Sequence, residues 1–309
     1  MSNHHSEAHV GPRDHNTPRC PSRVVAVGEC TVDRYLDRNE DFVGGISLNF
    51  AINALDEGAD HVALVSCVGS DSAGDLVRQR LAQTAIETRS LHTREGSTAT
   101  QAIHLDMTGE RTFPPGGYDA GVLADFELDD DDLALVANAD IVAVPIFRQL
   151  SRLAEPILQR RELGVMRVAD LLDGADISAT TGDDLSAVDA LLDAFDILFI
   201  SGNSSLVPRY LPLTSHRRSM IVVTHAAEGS TVLNAGNITR GAAEVVPPNE
   251  VVDTTGCGDA FQAAFTLSYF QNRDIDIALR AGARRAARVI RHLGATRSDE
   301  SQSRSNAES

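Results

Sequence analysis

The sequence predicts an α/β fold: a mostly parallel central sheet with helices on both faces, three layers in all, and a small separate β-sheet. Three observations carry this. Short apolar runs alternate with stretches of helical periodicity along most of the 309 residues, and runs without a polar face suit strands covered on both sides. Residues 98–113 instead alternate with period two around a turn (TATQAIHLDM, TGE, RTF), the pattern of an antiparallel hairpin. The hydrophobic fraction of 42% is ordinary for a chain with a real core, while Trp is absent, so that core must be built from Val, Ile, Leu and Ala.

In order along the chain, residues 24–28 (VVAVG) form the first strand and 49–57 a helix. Residues 61–68 (HVALVSCV) form a second strand. A helix over 72–83 carries Leu76, Val77, Arg80 and Leu81 at helical spacing. After the hairpin come a strand (140–144), a helix (148–163), a strand (165–170), a helix (187–194) and two strands (196–201 and 220–224). A Gly/Asn-rich region with short strands follows over 231–246, and helices over 258–270 and 275–292 close the domain. Residues 1–22 and 297–309 are polar and predicted disordered. There is no internal repeat. In such sheets ligands bind at the carboxyl ends of the strands, so the residues after VVAVG, MIVVT and EVVD are site candidates on geometry alone.

The formal net charge is −17. It disfavours nucleic acid and anionic membrane surfaces as partners. An anionic substrate would need backbone donors or a bound cation in place of a basic patch. Cys20, Cys30, Cys67 and Cys257 form no C-x-x-C pair and no zinc-type spacing, as expected in a reducing compartment. His4, His5, His9 and His15 read as part of a polar leader. The start lacks an apolar targeting stretch, and no run approaches the ~18 apolar residues of a membrane span, so the expected location is the cytoplasm.

The chemistry concentrates in residues 251–265, VVDTTGCGDAFQAAF. Gly256 and Gly258 flank Cys257, a helix opens at once, and Asp259 lies in its first turn. Glycines there permit positive φ and close approach of a ligand. The free N–H groups of a helix start form an anion site with the helix dipole. Phosphoryl transfer needs such donors around the migrating group and a carboxylate within reach of the acceptor hydroxyl. A G-x-G-D turn alone describes a helix-capping Asp equally well; the apolar strand before it and the small-residue helix after it make the combination rarer.

DTTGCGDAF resembles the C-terminal signature of the PfkB (ribokinase-like) carbohydrate kinases, with Cys257 at the usual Ala. Residues 44–53 (GGISLNFAIN) and 68–74 (VGSDSAG) resemble two further motifs of that family, in the same order. The resemblance covers about residues 23–296. It implies a ribokinase-like kinase domain with lid strands from about 33–44 and 98–113, using ATP and Mg2+ to phosphorylate a sugar hydroxyl. By the same resemblance Asp259 is the catalytic base, and the backbone of Gly256, Cys257 and Gly258 is the anion hole. Asp33, Gly44, Gly45 and Asn49 contact the sugar, with Arg111 of the hairpin a candidate contact. On the residues alone, Asp33 reads as an exposed loop residue, Asn49 as a helix cap and Arg111 as solvated.

Thr224 and Gly229 (VTHAAEGS), Asn203 and Thr254 fall on the nucleotide side. Ala226 stands where the first Gly of that segment is usual, and Leu206 where the family has the Glu of Asn-x-x-Glu. Asp170, at the end of its strand, is the candidate for an indirect Mg2+ contact. Asp253 and Thr255 match positions that hold a monovalent cation such as K+ in some relatives; Asp253 alternatively caps the turn. Ala283, Ala286, Ala287 and Ile290 form a small-residue stripe on the last helix, read as core. Lid sheets of this kind often build dimers, so a homodimer through the lid is expected.

Residues 117–142 (GYDAGVLADFELDDDDLALVANADIV) and the GECTVD start resemble the fructoselysine 6-kinase branch, which implies 6-phosphorylation of an Amadori product or related ketose. Residues 145–148 (PIFR) do not make the small polar pocket that such a sugar wants, and a substrate ammonium would want a carboxylate that the sequence does not single out. A plain ketose, ribose or a nucleoside stays open. So does a non-catalytic sugar-binding protein, which Leu206 and Ala226 favour and the intact GCGD turn disfavours. A dinucleotide-binding fold is excluded because VVAVGECTVD lacks G-x-G-x-x-G.

Overall fold

Val24 and Ala26 point into one apolar core and Val25 and Val27 into another, which is why the first strand is an unbroken apolar run. A computed structural model describes residues 22–159, 164–173 and 185–296. The strands are β1 (Arg23–Val27), β2 (Thr31–Tyr35), β3 (Glu40–Gly44), β4 (His61–Gly69), β5 (Leu91–Arg94), β6 (Thr100–Leu105), β7 (Arg111–Thr112), β8 (Tyr118–Asp119), β9 (Ile141–Pro145), β10 (Met166–Asp173), β11 (Ile197–Ser201), β12 (Met220–Thr224), β13 (Ser230–Asn234) and β14 (Asn237–Gly241). The α-helices are α1 (Ile46–Asp56), α2 (Ser72–Leu81), α3 (Asp130–Ala137), α4 (Ser151–Gln159), α5 (Leu185–Ala194), α6 (Leu206–Tyr210), α7 (Cys257–Asn272) and α8 (Ile275–Val289).

Nine strands form the main sheet in the order β14-β13-β12-β11-β10-β9-β1-β4-β5. From β12 to β5 every neighbour is parallel; β13 and β14 close the other edge antiparallel. One core lies between the sheet and α1, α2, α7 and α8, the other between the sheet and α4, α5 and α6. The second sheet runs β3-β2-β6-β7, with β8 also on β6. This is the expected three-layer α/β/α arrangement with a small sheet beside it.

Side chains fix several helix starts. Asp71 accepts from the Gly74 amide to open α2, Asp129 and Asp132 make a reciprocal capping box at α3, and Asp274 accepts from the Ile277 amide at α8. α7 and α8 pack closely: a Cβ on Gly282 would meet the Phe261 ring at 2.7 Å.

Most expected elements are present within a few residues. The first helix begins at Ile46, ahead of the expected 49, because the Glu29 carboxylate accepts from the Ile46 amide and caps it from across the chain. The strand expected over 165–170 continues to Asp173 through an irregularity after Asp170, where Leu172 takes φ 59°. The helix expected over 148–163 starts with a 3-10 turn and is α-helical over Ser151–Gln159; its expected end lies outside the described residues. The expected disordered segments 1–22 and 297–309 also lie outside them, apart from Ser22. Its amide and hydroxyl bond the Asp60 carboxylate at 2.8 and 3.3 Å. Among the described residues no helix is long and apolar enough to cross a membrane.

Candidate active site

β1 ends at the centre of the parallel sheet, and the chain there passes Gly28 into Glu29, Cys30 and β2. This carries two carboxylates, Glu29 and Asp33, to the carboxyl edge beside Asp170 on β10. Asp33 is not an exposed loop residue. It lies on β2, is 4% exposed and accepts the Thr31 hydroxyl at 2.7 Å. Gly44 sits across the strand pair and makes room for it: a Cβ there would meet Asp33 Oδ2 at 2.2 Å. Burial pushes the Asp33 carboxyl up to about 7; the Thr31 hydroxyl pulls it back, Glu29 and Asp253 push further, and Arg111 opposes them. Gly45 is the N-cap of α1, supplies no side-chain cap and leaves that task to Glu29.

Asn49 lies inside α1 rather than capping it. It is 3% exposed, and its Nδ2 donates to Asp259 Oδ2 at 2.7 Å, joining the two glycine-rich motifs 210 residues apart. Its Oδ1 is buried without a hydrogen-bond partner.

Asp259 stands in the first turn of α7, half-buried. Burial is the largest influence on its carboxyl, which is pushed up to about 8. Asp170 raises it further, the Asn49 amide and Arg111 lower it, and Glu29 raises it. Gly256 caps the helix at φ 76°, a left-handed conformation that glycine takes without strain. A Cβ on Gly258 would meet nothing within 4 Å, so the space over the helix start is open. First-turn amides have no partner inside a helix and point at that space with the positive end of the dipole. The Cys257 amide, expected among the anion-hole donors, is turned to the Thr254 carbonyl at 3.3 Å. Its thiol is pushed up to about 12, chiefly by burial, so it is no nucleophile.

Thr254, expected beside the nucleotide, has its polar atoms engaged by the lid hairpin. Its amide donates to the Gly109 carbonyl at 2.9 Å, and its hydroxyl accepts from the Arg111 amide at 3.1 Å and faces Glu110 at 3.4 Å. Its carbonyl accepts from Arg111 Nη1 at 2.8 Å. Arg111 is therefore not a solvated hairpin residue; it ties the lid to the turn before α7.

Asp253 is fully buried. It accepts from the Thr255 amide at 2.8 Å, the Tyr35 hydroxyl at 2.5 Å and the Gly294 amide at 2.8 Å. The turn-capping alternative describes this carboxylate, whose two oxygens are taken; the pair does not fit a K+ site built on it. Thr255 Oγ1 is buried without a hydrogen-bond partner.

The remaining candidates follow along the same carboxyl edge. Asn203, exposed after β11, closes a local turn on the Ser205 amide and hydroxyl. Thr224 ends β12 with its hydroxyl 3.2 Å from that of Ser201. At Gly229 a Cβ would meet the Gly241 carbonyl at 2.2 Å. Ala226 adopts φ 49°, which explains why glycine is the easier residue there. His225, not singled out from sequence, ties these loops together through the Gly202 carbonyl (2.7 Å) and the Thr231 hydroxyl (2.9 Å).

Asp170 is 7% exposed, and its Oδ1 accepts from the Leu172 amide at 2.9 Å. Among the described residues the one close group of metal-type ligands is His92, Asp129 and Asp132, at the start of α3. The donor set around Asp259 therefore fits Mg2+ as an ion carried on ATP phosphates, with Asp170 reaching it through water, rather than as a protein-caged metal.

The profile of the pfkB family carbohydrate kinases matches residues 22–302. The chain belongs to the pfkB family. It is an ATP-dependent carbohydrate kinase by that membership, with the motifs in the geometry just described. The kinase is 27% identical over 275 residues to fructoselysine 6-kinase of Escherichia coli, covering 88% of this chain and 98% of that one. It is 26% identical over 280 residues to a fructosamine kinase of Bacillus subtilis, covering 88% and 92%. Among solved structures, adenosine kinase from Schistosoma mansoni superposes with a TM-score of 0.75 at 15% identity, covering 90% and 98%. Ribokinase from Thermotoga maritima superposes with a TM-score of 0.67 at 19% identity, covering 89% and 95%. These likenesses make the fold ribokinase-like.

Glu29 and Tyr118 escaped the sequence reading. Glu29 is 6% exposed, and burial pushes its carboxyl up; the Ile46 amide and the Tyr118 hydroxyl pull it back, and Asp170 pushes it further. No motif singles it out, although its place directly after VVAVG is the geometric signal that marks a carboxyl-edge residue.

Proposed function

We propose that the kinase phosphorylates the 6-hydroxyl of a ketose or fructosamine such as fructoselysine. The observation that carries the reading is the Asn49–Asp259 hydrogen bond of 2.7 Å, which sets a base of raised basicity beside the open space over the α7 start. Asp259 takes the proton of the sugar hydroxyl as its oxygen attacks the γ-phosphorus of ATP. The bond to the β–γ bridging oxygen breaks, ADP leaves, and first-turn amides of α7 hold the charge on the transferring group. Asp33 orients the sugar through its hydroxyls. Thr224, Gly229 and Asn203 serve the nucleotide, and Mg2+ arrives with it, neutralising phosphate charge. The names of the E. coli and B. subtilis relatives support the fructosamine substrate. Ribose, another ketose and nucleosides are the alternatives within the family.

The kinase pairs through its lid on this reading, because Leu36, Met107 and Phe113 are exposed at the ends of the lid strands. The deciding experiment is ADP release from ATP and Mg2+ across fructoselysine, fructose, ribose and adenosine. Turnover with fructoselysine above the others is the expected result. Turnover confined to another sugar discards the fructosamine reading, and no turnover with any, in a protein that still binds sugar, favours a non-catalytic role.

A further inference from the structure

We propose that Glu29, with the Tyr118 hydroxyl beside it, is the subsite that receives a protonated amine on the sugar, and that it makes this kinase select an amino-substituted ketose over the neutral one. The proposal rests on the sugar-kinase reading above and adds the group that the site selects.

Glu29 spends one oxygen on the α1 cap, with the Ile46 amide 3.1 Å from Oε1; Oε2 is buried with no hydrogen-bond partner. Asn49 spends Nδ2 on Asp259 and is left with a buried, unpartnered Oδ1. The Tyr118 hydroxyl, on β8 of the lid sheet, is also buried and unpartnered. It lies near enough to Glu29 for each to shift the other's acidity. Buried polar atoms without partners are costly, and here they ask for donors.

Charge narrows the donor. Glu29, Asp33, Asp170 and Asp259 act on one another through the site, and the cation acting on Asp33 and Asp259 is Arg111, whose Nη1 is held by the Thr254 carbonyl. Neutral hydroxyls fill acceptors but leave the surplus negative charge; an ammonium supplies donors and charge together. Among these carboxylates Glu29 is the one with a free buried oxygen. Asp259 is bonded by Asn49, Asp33 by Thr31 and Asp170 by the Leu172 amide. The corner is walled by the edge-to-face pair of Tyr118 and Phe147, with centroids 5.7 Å apart.

The test separates binding from turnover. 1-Amino-1-deoxyfructose, its N-acetyl derivative and fructose are titrated calorimetrically into wild type and Glu29→Gln, with ADP release measured in parallel. Gln keeps an acceptor for the Ile46 amide, so α1 stays capped. Wild type is expected to bind the amino sugar about 10- to 100-fold more tightly than fructose or the uncharged acetyl form, and E29Q is expected to lose that preference. Equal affinity of wild type for the three sugars, binding of none, or an undiminished preference in E29Q overturns the proposal. If E29Q does not fold, the amino against the acetylated sugar on wild type decides. The amine preference without ADP release sinks the kinase reading and keeps the subsite; ADP release without the preference does the reverse.

Discussion

Asp259 carries a proton at neutral pH in the free enzyme, since its carboxyl is pushed to about 8. Its role gives a clear prediction. Asp259→Asn keeps the partner of Asn49 but cannot accept a proton, so kcat should fall by about a thousandfold or more while calorimetric sugar affinity changes little. Gly44→Ala makes the opposite split. A methyl group 2.2 Å from Asp33 Oδ2 must displace that carboxylate, so sugar binding should weaken severalfold with the Asp259 chemistry intact; unchanged affinity would remove Asp33 from the sugar site. Asp259 and the glycines were legible because they sit in contiguous motifs whose backbone work leaves a spacing in sequence. Glu29, Tyr118 and the Thr254–Arg111 contact were not. Each acts across a long separation, and nothing local marks a carboxylate that caps a helix 17 residues away.

The long parallel strands and the helices that cover them were readable because burial on both faces leaves an unbroken apolar run. The short elements were missed for the converse reason. β5 and β8 are exposed or half-exposed edge pieces, and α3, with its run of aspartates, packs through a narrow face. Their existence depends on pairing with β4 and β6 and on the Asp129–Asp132 cap. Packing between α7 and α8 makes its own prediction. Gly282→Val drives a branched side chain into the Phe261 ring and should cost about 1–3 kcal/mol, read as a lower urea midpoint at unchanged slope. Arg111→Ala frees one side of the lid contact, and kcat should fall about tenfold with no change in the overall fold by circular dichroism.

Across the whole molecule the charges pull in one direction. Glu29, Asp33 and Asp259 all hold protons in the folded state more tightly than ordinary carboxyls do. The folded protein thus binds more protons than the unfolded chain above the ordinary carboxyl range, and stability falls as pH rises through about 7 to 8. A net charge of −17 adds self-repulsion in the same sense. The ligand-free Tm should drop between about pH 5.5 and 8.5, while kcat/KM for the sugar climbs over the same interval as the coupled carboxyls give up their protons. A flat rate profile would remove the buried base. The hydrogen bonds of Thr254 to Gly109, Glu110 and Arg111 bear on the moments between turnovers. Any raising of the lid withdraws all three residues from the turn that positions the α7 amides. ATP bound before a sugar then meets a loosened cradle, and a stray water has no finished site in which to attack it, so idle hydrolysis is checked by the same contacts that seal the sugar in.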